Sequence, residues 1–114
     1  MTIHFSSTVS FMLKEDTTPI LNRSFIGTKD ITKYNEQSII VPAGTTNYAV
    51  SFGNVTIASL VYIETDKQLS FKINANTNPP ITIKDVVYLS SAGILSLYLT
   101  NATTSSATVK IFLA

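Results

Sequence analysis

The side chains able to do chemistry are few, and each can be weighed against its neighbours. His4 is the single histidine. A general base or metal ligand needs a carboxylate or a second imidazole close by, and Ile3 and Phe5 supply neither. It reads as a solvent-facing strand residue. Glu64 and Asp66 stand two apart, so a strand running through both would put their carboxylates on one side. A hard cation such as calcium takes about six to eight oxygens, and Lys67 next door offers a simpler partner, so a solvated turn is the expected role. Glu15-Asp16 has less claim still. No serine lies in a Gly-x-Ser-x-Gly elbow, no glycine-rich phosphate loop is present, and there is no cysteine. These residues predict no catalytic centre, no metal and no cofactor; the chain is not expected to be an enzyme or to act on a small-molecule substrate.

Tyr34, Tyr48, Tyr62, Tyr88 and Tyr98 are the remaining candidates. Aromatic side chains at strand positions usually pack the core or a sheet face; stacking on sugar rings is the other chemistry open to them. Asn22, Asn54 and Asn101 begin Asn-x-Ser/Thr sequons, which a chain rich in Asn, Ser and Thr produces by composition alone.

Composition narrows the class of partner. Eight Lys and Arg face seven Asp and Glu, a net charge of +1, which is not the basic footprint that nucleic acid demands. Nor is it a polybasic membrane anchor. Charged residues are 13% of the chain, about half of an ordinary domain's share, while hydrophobic residues are 45% and mean hydropathy is +0.27. A surface so poor in charge is expected to be covered by copies of itself or by a partner. The start, Met1-Thr2-Ile3-His4-Phe5, lacks the charged and apolar regions of a signal peptide. With no apolar run near ~20 residues, the expectation is a protein made in the cytoplasm.

The elements that must carry these residues are strands. From Ile3 to Leu13 apolar and polar residues alternate, with Ile3, Phe5, Val9, Phe11 and Leu13 on one parity. Lys14 to Pro19 reads as a turn, Ile20 to Ile26 as a second strand closed by Gly27, and Thr28 to Gln37 as a loop. Ser38 to Val41 is a brief strand stopped by Pro42-Ala43-Gly44. Gly53-Asn54 predicts a reversal joining Tyr48 to Ile57 as a hairpin. Leu60 to Ile63, polar Glu64 to Lys67, then Leu69, Phe71 and Ile73 alternating with Ser70, Lys72 and Asn74 predict a central hairpin. Pro79-Pro80 introduces Ile81 to Lys84, and either Asn78-Pro79 or Pro79-Pro80 is the place where a cis bond is least unexpected. Val86 to Ser90, then Leu95, Leu97 and Leu99, then Val109, Ile111 and Leu113 complete the set. Eight to ten short strands without a helix predict an all-β chain: one domain over 1–114, an antiparallel β-sandwich of jelly-roll type, or failing that an immunoglobulin-like sandwich.

Three segments carry a resemblance. Leu60-Val61-Tyr62-Ile63-Glu64-Thr65-Asp66-Lys67, Gly93-Ile94-Leu95-Ser96-Leu97-Tyr98-Leu99-Thr100-Asn101 and Ala107-Thr108-Val109-Lys110-Ile111-Phe112-Leu113 are similar to the C-terminal halves of small all-β virion proteins of tailed bacteriophages. The likeness covers residues 46–114, and the N-terminal third departs from it. It implies a capsid-decoration or auxiliary head protein, a homotrimer that sits on the head surface of the virion and binds the major capsid protein. With it go no nucleic acid, no membrane and no active site. The N-terminal strand is expected to reach a neighbour by strand addition, giving Ile3, Phe5, Val9, Tyr34 and Tyr48 as interface residues. Two rivals stand beside this: a tail or fibre adhesin that binds host glycan through Tyr34 or Tyr48, and a monomeric sandwich acting as a cytoplasmic scaffold or inhibitor.

Overall fold

The computed structural model describes the backbone of residues 3–31 and 33–114. Side chains are described for His4, Ser6, Thr8, Asp16, Thr17 and Ile31 in the first stretch and for all but Ala92 in the second. These residues form ten strands: β1 (Ile3–Glu15), β2 (Thr18–Ile31), β3 (Asn35–Val41), β4 (Thr45–Ala49), β5 (Ala58–Thr65), β6 (Leu69–Ile73), β7 (Ile81–Ile83), β8 (Val86–Ile94), β9 (Leu97–Asn101) and β10 (Ala107–Leu113). The all-β expectation holds, and every pairing is antiparallel. The strands fall into two compact units, Met1–Thr32 and Lys33–Ala114.

In the first unit β1 pairs β2 from Ile3↔Ile31 to Glu15↔Thr18, with an irregularity between Leu13 and Lys14. The turn is tighter than the expected Lys14 to Pro19. Asp16 and Thr17 carry it, Asp16 at φ 54, a left-handed conformation that a short polar side chain tolerates; Pro19 is drawn into β2 opposite Lys14. Gly27 does not end the second strand. It sits opposite Ser7, and β2 continues to Ile31 because β1 offers it a partner as far as Ile3. The expected loop over Thr28 to Gln37 shrinks accordingly, with Asn35 already opening β3.

In the second unit the pairing is nested. β6 pairs β7, β5 pairs β8, β4 pairs β9 and β3 pairs β10. Successive pairs alternate between two four-stranded sheets, ordered β3-β10-β5-β8 and β4-β9-β6-β7. Both hairpins expected from sequence are corrected by this order. β5 and β6 lie in different sheets, as do β4 and β5. A tight two-residue hairpin needs positive φ at its centre, and no residue from Glu64 to Gln68 has it. Thr65 and Lys67 instead build a local turn, Thr65 Oγ1 donating to the Lys67 carbonyl at 2.8 Å, that carries the chain across. Gly53 does have φ 59, but Val50 and Val55 on either side are buried. The residues between β4 and β5 thus plug the core instead of reversing a ribbon. A methyl at Gly53 would stand 2.5 Å from Asn35 Nδ2, a side-chain end that can swing aside, so it is the positive φ that asks for glycine at this turn. The local hairpin of this unit is β6–β7, across the Asn74 to Pro80 stretch, and no peptide bond described there is cis.

Burial follows parity. Ala107, Val109, Ile111 and Leu113 on β10 are buried, as are Val61 and Ile63 on β5, Leu69 and Phe71 on β6, and Leu97 and Leu99 on β9. One hydrophobic cluster takes members of both sheets. Leu95, expected on the buried parity with Leu97 and Leu99, is exposed. It lies between β8 and β9, where the Asn74 side chain accepts from its N–H at 2.7 Å. Beyond β10, Ala114 bonds both ways with Leu60 (N–H to Leu60 carbonyl 3.0 Å; carbonyl from Leu60 N–H 2.9 Å) and accepts from Ser59 N–H at 2.8 Å.

Asn101 is the buried polar anchor, at 0% exposure. Its Nδ2 donates to the carbonyls of Val41 (3.0 Å) and Ser105 (2.8 Å), and its Oδ1 accepts from Thr103 N–H (3.0 Å) and Thr103 Oγ1 (2.6 Å). This ties the end of β3 to the β9–β10 turn, and it closes the Asn101 sequon to any glycosylating enzyme acting on the folded chain. Asn101→Ala would leave the Val41 carbonyl without this donor inside the fold. It is expected to lower unfolding stability by about 2–3 kcal/mol in urea titration; a loss below about 0.5 kcal/mol, the level of an ordinary surface change, would contradict the anchor.

Candidate functional site

Alternation that fills the core from one side of β10 presents Thr108, Lys110 and Phe112 on the other. Register then assembles the outer face of the β3-β10-β5-β8 sheet. Phe112 sits opposite Glu36 on β3 and Tyr62 on β5, and Tyr62 sits opposite Tyr88 on β8. One row across the strands therefore reads Glu36, Phe112, Tyr62, Tyr88. The adjacent row, two residues along each strand, reads Ser38, Lys110, Glu64, Val86. Tyr34, just before β3, extends the aromatic row, its ring 6.2 Å from that of Phe112 with planes 23° apart. Tyr34 is 47% exposed and Tyr62 36%. A shallow concavity of about 410 Å³ opens here, lined by Glu36, Ser38, Tyr62, Glu64, Lys110 and Phe112, among others.

Tyr62 and Glu64, both on the outer parity of β5, are joined by a hydrogen bond from the tyrosine hydroxyl to Oε2 at 3.3 Å. Desolvation, then the negative charge of Glu64, then this hydrogen bond hold the Tyr62 phenol above its ordinary value of 10.0. All three favour the neutral form: burial and a neighbouring carboxylate both penalise phenolate, and the bond requires the proton.

The other candidates land elsewhere. Asp66 does not join Glu64 at a cation site; its Oδ1 accepts from Thr108 N–H at 2.8 Å, closing the turn after β5 onto β10. Among the described residues no group of three or more His, Asp or Glu is placed to hold a metal ion. His4 is exposed on β1, as its neighbours predicted. Of the expected interface residues, Ile3, Phe5 and Val9 pair through their backbones with Ile31, Lys29 and Phe25, and their side chains lie outside the described residues. Tyr34 is on the outer face, whereas Tyr48 on β4 packs against the core cluster. Tyr98 on β9 pairs with Lys72 and Ala49, so only Tyr34, Tyr62 and Tyr88 of the five tyrosines come together. Phe112 and Lys110 went unnoticed as site residues, although an aromatic off the buried parity of Val109, Ile111 and Leu113 was a readable signal.

The raised phenol gives a pH signature. With the folded pKa above the unfolded one, the folded state keeps its proton longer, so Tyr62's contribution is intact below pH 10 and is lost as pH climbs past it. Tyr62→Phe is expected to flatten the alkaline limb of the stability curve, followed as urea midpoint from pH 8 to about 11; an unchanged limb would separate Tyr62 from Glu64. No protein-family model matches the chain, and neither a curated protein nor a solved structure does.

Proposed function

We propose that the chain is a structural virion protein of a tailed bacteriophage, a capsid-decoration or auxiliary head protein that binds and stabilises the shell as an oligomer. The observation that carries this is the β1–β2 ribbon. Its strands of 13 and 14 residues are bonded to each other in a sheet of two, so among the described residues each has one unpaired edge. A lone two-stranded ribbon is marginal in water, and an unpaired edge is a template for another chain. A ribbon of this length is best accounted for by a neighbour that completes it.

The body of the protein supports the same reading. Eight strands nested first with last, in sheets ordered β3-β10-β5-β8 and β4-β9-β6-β7, match what a jelly-roll sandwich requires, an architecture used by capsid proteins and lectins alike. Two of the segments that resemble phage virion proteins, Leu60–Lys67 and Ala107–Leu113, supply β5 and β10, which pair with each other at the centre of one sheet. The likeness is thus one of framework, and an architecture by itself does not name a function. Exposed Ile57, Ile81 and Leu95, none of them in the outer rows of the β3-β10-β5-β8 sheet, fit a surface that loses water on docking. Contacts of a standard interface bury about 1,600 Å², and three linked copies gain further by effective concentration.

Light scattering on the purified chain should give three times 12.4 kDa. Removal of Met1–Thr32 should give a monomer that still unfolds cooperatively. A monomeric full chain, or an oligomer indifferent to the truncation, would refute the ribbon's role, and absence of the protein from purified particles would refute the virion assignment.

A further inference from the structure

We propose that the outer face of the β3-β10-β5-β8 sheet is a binding site for a neutral oligosaccharide, with Tyr62 and Phe112 as its floor and Glu36, Glu64 and Lys110 as its polar rim. The site stands on the geometry of this sheet and does not depend on the oligomer or on the virion assignment.

The floor comes from register. Phe112, Tyr62 and Tyr88 occupy facing positions on three adjacent strands. Strands lie about 4.8 Å apart, so the three positions span about 10 Å, and Tyr34 lengthens the row beyond Phe112. Aromatic faces carry negative potential, and the C–H face of a pyranose presents its weakly positive hydrogens as a flat, apolar complement. The concavity takes Tyr62 and Phe112 of this row into its lining, and its volume of about 410 Å³ falls within the roughly 300–1,000 Å³ of small-ligand sites.

The rim decides among ligands that stack. Nucleobases also stack on tyrosine, but single-stranded nucleic acid brings phosphates and asks for a basic groove. This concavity holds two carboxylates, Glu36 and Glu64, and one ammonium, Lys110. That balance disfavours a polyanion, and Lys110, set opposite Glu64, offsets most of the pull on a cation. It suits a ligand without charge whose hydroxyls both donate and accept, because carboxylates take the donated bonds and the ammonium gives one back. The Ser38 hydroxyl in the same concavity can do either. Glu64 already accepts from the Tyr62 hydroxyl through Oε2 at 3.3 Å, which ties the floor to the rim within one strand. Tyr48 and Tyr98 have no part in the site, being carried by the other sheet.

The test is a ¹⁵N-HSQC titration of the full chain with trisaccharides of glucose, galactose, mannose and N-acetylglucosamine, alongside a glycan array. At least one should give saturable shifts centred on Tyr62, Glu64, Lys110 and Phe112. Tyr62→Ala should weaken that binding at least about tenfold, and Glu64→Gln and Lys110→Gln severalfold each. All three side chains point away from the core, and thermal unfolding checks that each variant is folded; if Tyr62→Ala is not, the two rim variants carry the comparison. Ile81→Ala, on the other sheet, should bind as the parent does. No saturable binding by any of the four at about 10 mM would overturn the proposal. So would binding that the folded Tyr62 and rim variants leave intact. A change in oligomeric mass on Tyr62→Ala without any sugar binding would assign the face to a protein contact instead.

Discussion

The fold depends on β10 lying between β3 and β5. That strand brings two partners from far earlier in the chain into one sheet, and its inner parity, Ala107, Val109, Ile111 and Leu113, fills the middle of the cluster shared with the other sheet. Such pairing is non-local, and its chain-entropy cost would be large if each contact closed its loop alone. Nesting reduces it. Once β6 and β7 pair, β5 and β8 already stand close, and each further pair outward closes only the short connections added to the one inside it. Ala114 and Asn101 then fasten the two ends of β10's placement, one by main-chain bonds to Leu60 and Ser59, the other through the Val41 carbonyl.

This explains what sequence made legible. Individual strands were readable because period-2 patterning reflects burial of one face, a property of each strand by itself; β6, β9 and β10 show it in Leu69 and Phe71, Leu97 and Leu99, and Val109 to Leu113. Partners were not readable. The segment from Leu60 to Ile73 has everything a hairpin shows in sequence, two apolar runs and a polar connection, yet its halves join different sheets. What decides between the outcomes is backbone conformation at four or five connecting residues and the better partners waiting elsewhere in the chain. Gly53-Asn54 shows the same limit: the glycine was a true mark of positive φ, but the buried Val50 and Val55 beside it turn the segment inward. In the first unit the error ran the other way. Gly27 and Pro19 weaken a strand locally, and a long partner overrides both.

The candidate site was less legible still, for a reason of the same kind. Five tyrosines looked alike in sequence, and sheet membership separates them. Tyr62 and Tyr88 face each other because β5 pairs β8, and Phe112 joins them because β10 pairs β5. None of these relations exists along the chain. Only the off-parity placement of Tyr62 between Val61 and Ile63, and of Phe112 between Ile111 and Leu113, foretold an aromatic on an outer face.

A low charge content therefore has two consequences in this protein that should be kept apart. In β1 it leaves residues 3–13 without Lys, Arg, Asp or Glu, so that strand lacks the charged guard that commonly blunts an edge, whereas β2 carries Arg23, Lys29 and Asp30. On the outer face of the β3-β10-β5-β8 sheet the few charges present are gathered around rings instead of spread evenly, Glu36, Glu64 and Lys110 bordering Phe112 and Tyr62. A surface meant only to be covered by a flat protein partner gains little from such a gathering, because carboxylates desolvated without a matched cation oppose docking. Rimming exposed aromatics with hydrated, hydrogen-bonding groups favours a small polar ligand that leaves part of the rim in water, and that is the physical ground for proposing ligand binding on this face and assembly elsewhere.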